Sequence, residues 1–123
     1  MKWIHLILGG TAGTLSRYLL SGFIYQIFGA QFPYGTLAVN LLGCFLIGFL
    51  AAISEEKFVL DGNARLLLMV GFCGAFTTFS TFIFESANLI RDGETLSALL
   101  NVLASVLLGF LVFRAGIFLA EII

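Results

Sequence analysis

Apolar residues run along this chain in four long blocks separated by three short polar turns. The first block extends from about Trp3 to Phe28, and the segment Gly29 to Gly35, built around the only proline, makes the turn after it. The second covers about Thr36 to Ile53 without a charge, and Ser54-Glu-Glu-Lys57 with Asp61-Gly-Asn63 follows. The third runs from about Arg65 to Ile90 and closes on Arg91-Asp-Gly-Glu94, where Asp92-Gly93 is a strong turn signal. The fourth runs from about Ser97 to Ala120. A helix needs about 20 apolar residues to cross the hydrocarbon core, so the pattern predicts an all-α membrane protein: one domain over residues 1–123 with spans of about 3–28, 36–53, 65–90 and 97–120. Short connections give an up-down-up-down order with both termini on one side. Trp3, Tyr25 and Tyr34 sit near block ends, as interfacial anchors do.

Composition agrees. The 123 residues are 60% hydrophobic and 11% charged, with a mean hydropathy of +1.10, a balance that a water-soluble domain of this size does not have. Four crossings leave no room for an extramembrane active site. A net charge of −1 suggests neither nucleic-acid binding nor a polybasic lipid patch. Lys2 followed by an apolar run imitates a secretory signal, but the run carries Arg17 and lacks an A-x-A-like cleavage site, so it is read as the first span. Cys44 and Cys73 lack metal or redox spacing and read as packing thiols, and His5 reads as interfacial. No nucleophile and base pair, metal cluster or phosphate loop is present, so an enzyme is not expected.

Charge specifies orientation weakly. Lys2, Lys57 and Arg65 lie on the terminal side against Arg91 on the other, a thin margin for the insertion machinery. A chain that inserts both ways could pair with an inverted copy of itself, making between subunits the inverted symmetry that larger transporters hold in one chain.

Polar residues inside the blocks carry the candidate chemistry. In the third, Thr77, Thr81, Glu85 and Asn88 fall on one narrow helical face, with Phe76, Phe79 and Ile83 opposite, and Phe82 between, beside Thr78. Gly71 and Gly74 weaken the helix near its middle. A break around Gly74 to Thr77 would free carbonyls for a cation and turn amides toward an anion. In the second block, Thr36, Asn40 and Gly43 share a side, and an asparagine at that depth wants several hydrogen-bond partners. In the fourth, Ser97, Asn101, Ser105 and Gly109 recur every four residues, a stripe that suits a pore lining and a packing face equally. In the first, the close-packing pair Gly9-x-x-x-Gly13 leads to Arg17 on the same face, whose guanidinium must meet water, carbonyls, a carboxylate or an anion. The electropositive edges of Phe rings, the hydroxyls, Asn40 and Arg17 together favour an anion, and only Glu85 argues against one.

Three segments carry a specific resemblance: Gly9-Gly-Thr-Ala-Gly13 with Arg17-Tyr18, Gly35-Thr-Leu-Ala-Val-Asn40-Leu-Leu-Gly43, and Gly71-Phe-Cys-Gly-Ala-Phe-Thr-Thr-Phe-Ser-Thr-Phe82 with Glu85. In these, and in the order of all four blocks, the chain resembles the CrcB/Fluc family of fluoride channels. The resemblance implies a dual-topology homodimer of antiparallel subunits in the cell inner membrane, its third helix broken, with two fluoride pathways along the interface and passive export of toxic fluoride as the purpose. Carried over by position, Asn40 would donate to fluoride, Phe79 and Phe82 would be pore phenylalanines, and Ser80 and Thr81 a hydroxyl track with Glu85 near its end. Arg17 would draw anions to a vestibule. Gly74 and Thr77 would offer carbonyls, two from each subunit, to one structural sodium ion. Thr36, Asn101 and Ser105 complete the expected fluoride pathway, with Asn101 where family members vary. The alternative from spans and composition is a small multidrug-type proton-coupled antiporter, which needs an acid in its first span where this chain has Arg17.

Overall fold

The computed structural model describes residues 1–123, which form helices joined by turns, with no strand. Helix α1 (Lys2–Phe28) ends at Gly29, whose φ of 81° is left-handed and therefore suits a residue without a Cβ. Helix α2 (Tyr34–Glu55) follows. The short helix α3 (Gly62–Arg65) starts where Asp61 accepts the Ala64 N–H at 2.8 Å, and it passes into a π-helical stretch, Leu66–Cys73, then into α4 (Gly74–Phe76). The chain then turns extended at Thr77 (φ −92°, ψ 160°) and Thr78 (φ −150°, ψ 117°). Helix α5 (Phe79–Arg91) restarts on a side-chain cap, the Thr78 hydroxyl accepting the Thr81 N–H at 3.2 Å. Helix α6 (Thr95–Ile122) completes the chain.

Three stretches are long and apolar enough to cross a membrane: Tyr34–Glu55, the whole run Gly62–Arg91, and Thr95–Ile122. Helix α1 is as long, at 27 residues, but its glycines, hydroxyls and Arg17 make it less apolar. Only 21 of 123 residues are buried, and Leu, Ile, Val and Phe cover the outside of the helices. Water would not tolerate that surface, so it faces lipid or another chain, as in a multi-pass membrane protein.

Glycine positions decide which helices touch. α2 packs along α6, where Gly48 lies against the Phe113 carbonyl and Gly116 against the Phe45 carbonyl. α1 packs along the π-helical stretch, with Gly9 against the Leu67 carbonyl and Gly13 against that of Phe72. Side chains there would hold the backbones apart, so the Gly9-x-x-x-Gly13 motif is an intrachain packing seam. Between the helices Val39 and Asn101 are fully buried.

The structure corrects one local expectation. The face of Thr77, Thr81, Glu85 and Asn88 assumed a continuous helix, but the extended pair Thr77–Thr78 cuts it, so Thr77 parts from the other three. Residues 66–73 are π-helical, with more residues per turn than an α-helix.

Candidate functional site

The interruption at Thr77–Thr78 is held by side chains from two other helices. Asn40 on α2 accepts the Thr78 N–H through Oδ1 at 2.8 Å and donates from Nδ2 to the Thr78 carbonyl at 3.1 Å. Arg17 on α1 donates from Nε to the Ala75 carbonyl at 3.0 Å, putting a cation at the C-terminal, electronegative end of α4. The break is therefore held from two other helices, and Asn40 keeps one amide hydrogen for another acceptor.

The four carbonyls before the break, those of Gly74, Ala75, Phe76 and Thr77, lose their usual amide partners, and Arg17 takes that of Ala75. In an unbroken helix the Gly74 carbonyl would receive the Thr78 N–H, and the Thr77 carbonyl the Thr81 N–H. Here those amides go to Asn40 and to the Thr78 hydroxyl. No hydrogen bond ends on the Thr77 carbonyl, while the Thr77 hydroxyl donates back to Cys73 at 3.0 Å. Gly74 has no atom of another residue near where its Cβ would be. Carbonyl oxygens without amide partners are oxygen donors of the kind a hard cation takes, so Gly74 and Thr77 would be the residues to hold a sodium ion. No cluster of three or more His, Cys, Asp or Glu side chains offers a divalent site.

A groove of about 420 Å³ runs beside the break, lined by Asn40, Gly74, Thr77, Phe79, Phe82 and Ser105 among others. Phe79 projects outward at 74% exposed and Phe82 lies inward at 7%, their rings 5.8 Å apart and tilted 52°. The Ser105 hydroxyl is buried without a protein partner.

Thr81 and Glu85 line a different cavity, of about 470 Å³, with Asn88, Arg91 and Gln31 near the ends of α1 and α5. The Glu85 carboxylate accepts the Tyr25 hydroxyl through Oε2 at 2.9 Å, and its Oε1 is buried without a partner. The Tyr25 oxygen in turn accepts the Thr36 N–H at 3.3 Å and lies 3.3 Å from the Thr36 hydroxyl. Thr36 is thus buried behind Tyr25 and does not line the groove beside Asn40. Ser80 is exposed on α5, one residue before Thr81. Asn101 is buried and donates to Ser86 at 2.9 Å, which makes this part of the α6 stripe a packing contact to α5.

The structure therefore divides the expected pathway. Asn40, Phe79, Phe82 and Ser105 come together at the groove with Gly74 and Thr77, while Thr81 and Glu85 sit at the second cavity. Arg17 lines neither and is engaged with the break. Tyr25, read from the sequence as an interfacial anchor, is the missed residue. Its signal was the run Gly9, Gly13, Arg17, Ser21, Tyr25 at a constant spacing of four, which continues the packed face of α1 to its end.

Comparison with known proteins gives the family of the chain. Residues 4–117 match the family described as CrcB-like protein, Camphor Resistance (CrcB). A protein of Solidesulfovibrio magneticus named fluoride-specific ion channel FluC is 48% identical over 118 residues, covering 96% of this chain and 94% of the relative. Proteins of the same name from Nitrosococcus oceani and Geobacter sulfurreducens are 45% identical over 123 residues (100% and 97% covered) and 49% identical over 112 residues (91% and 90% covered).

Proposed function

We propose that this chain, which belongs to the CrcB family, is a fluoride-selective ion channel that lets fluoride leave the cell passively and so relieves its toxicity. The observation that carries this reading is the groove at the helix break. There Asn40 has a free amide hydrogen, the Phe79 and Phe82 rings stand tilted to each other, and Ser105 adds an unpartnered hydroxyl. A small, strongly hydrated anion gives up its water only where neutral donors replace it, and a lone buried anion is otherwise too costly. Amide, hydroxyl and ring-edge donors supply that exchange without binding so tightly that the ion cannot leave.

The finer architecture belongs to the same proposal. The chain crosses the cell inner membrane four times, by α1, α2, the interrupted run Gly62–Arg91 and α6, with lipid around it. Two such chains pair antiparallel, each closing the other's groove, which gives two pathways per dimer. Phe79, exposed on a single chain, is the support for a partner surface there. Ser80, Thr81 and Glu85 extend the pathway along α5, and Arg17 raises the local positive potential from beside the break. One sodium ion at the dimer centre is held by the Gly74 and Thr77 carbonyls of both subunits and acts structurally. The antiporter alternative is not favoured, because α1 contains no acid to carry a proton. Efflux from liposomes holding purified protein tests the reading. Rapid, electrogenic fluoride release with little chloride release is expected, and equal release of both ions, or of neither, would overturn it.

A further inference from the structure

Tyr25 stands outside the expected pathway, yet its hydroxyl is the only protein donor to the Glu85 carboxylate. The direction of that bond is set by a third residue. The Thr36 N–H donates to the Tyr25 oxygen, which leaves the phenolic hydrogen for Glu85 Oε2. Gly35 makes the approach possible, since a Cβ there would come 2.5 Å from the Tyr25 ring and 2.6 Å from the Ser21 carbonyl. Three residues from α1 and α2 thus act together on one side chain of α5.

A carboxylate is the strongest acceptor in this region, and charge-assisted bonds form in preference to neutral ones. Thr81 lies one turn before Glu85, within reach of its side chain on a helix. The other charged groups at the cavity, Arg91 and Asp92, are exposed and lie 3.6 Å from each other, so they do not engage Glu85. If released, the carboxylate would take the hydroxyl hydrogens that a passing anion needs and would set its own charge against that anion.

We propose that Tyr25 is a positioning residue for anion passage, holding Glu85 by Oε2 so that the carboxylate does not compete for the hydroxyl of Thr81. The proposal rests on the channel reading above. Its test is fluoride efflux from liposomes for wild type and Tyr25→Phe, each with and without Glu85→Gln. Loss of one hydrogen bond to a charged group should slow Tyr25→Phe by about tenfold, and the same change should do little once Glu85→Gln has removed the carboxylate. An infrared difference spectrum of protein carrying isotope-labelled glutamate gives a second readout, which decides the matter if Glu85→Gln itself releases no fluoride. A carboxylate band should shift in Tyr25→Phe and be absent in the Glu85→Gln background. Wild-type efflux from Tyr25→Phe, an equal loss in both backgrounds, or an unmoved band would overturn the positioning role. Wild-type liposomes that release no fluoride would instead overturn the channel reading itself.

Discussion

Asn40 supplies the Thr78 N–H with the acceptor that a continuing helix would have given it, and adds a donor to the Thr78 carbonyl at the N-cap of α5. The two residues are 38 positions apart, so a single amide from α2 makes an interruption in the third apolar run stable in a setting without water. The same residue lines the groove, so the break and the groove wall depend on one side chain.

Asn40→Asp separates these two tasks. The substituted side chain still accepts the Thr78 N–H, but it loses both Nδ2 hydrogens and sets an oxygen against the Thr78 carbonyl. Fluoride efflux should be abolished, with a stability loss of about 1–3 kcal/mol from the lost amide bond and the two opposed oxygens. Dimer recovery by size-exclusion chromatography beside efflux assays checks this, and wild-type flux would reduce Asn40 to a helix clamp.

Ring edges, rather than apolar bulk, should matter at the groove. Phe79→Ile and Phe82→Ile should each cut fluoride efflux strongly, whereas Phe82→Tyr keeps the ring and should be tolerated better. Because Phe79 is largely exposed in one chain and Phe82 is buried, Phe82→Ile should also lower thermal stability while Phe79→Ile should not change that of the single subunit. Equal flux in all three variants would show that the rings only fill space.

Gly9 and Gly10 are adjacent and should behave oppositely. Gly9 abuts the Leu67 carbonyl, whereas Gly10 has no neighbouring atom within 4 Å of a Cβ position. Gly9→Ala should therefore force α1 off the π-helical stretch and cost about 1–3 kcal/mol, as overpacking does. Gly10→Ala should be neutral or slightly stabilising, since alanine is the better helix former. Thermal unfolding in detergent distinguishes the two.

Sodium depletion tests the carbonyls that the break leaves free. If the Gly74 and Thr77 oxygens of two subunits hold one structural ion, prolonged replacement of sodium by potassium should lower fluoride efflux or dimer stability. Fluoride transport should carry no sodium with it. Efflux indifferent to that exchange would leave Gly74 as a residue of close packing between subunits.

The apolar blocks alone determined that this is a helical membrane protein, because crossing hydrocarbon fixes both the length and the composition of a helix. The polar residues inside those blocks were legible as candidates for the same reason, since lipid penalises each of them unless a partner or an ion is present. Asn40 and Thr77 could be picked out in this way, whereas Phe79 and Phe82 were implied by the family resemblance. Glycines likewise signalled that the third run would be weak near its middle.

Tertiary structure decided which of these residues meet. Asn40 with Thr78, Arg17 with Ala75 and Tyr25 with Glu85 are 38, 58 and 60 positions apart. Periodicity reports which residues share a face of one helix, but carries no information on which faces of different helices touch. Tyr25 was therefore read as an anchor, and the Thr77-to-Asn88 face as continuous. The break falls at Thr77–Thr78, three residues beyond Gly74, because that is where Asn40 and Arg17 can satisfy the groups it exposes. A backbone opening at membrane depth sits where its hydrogen bonds can be replaced, and those replacements come from other helices.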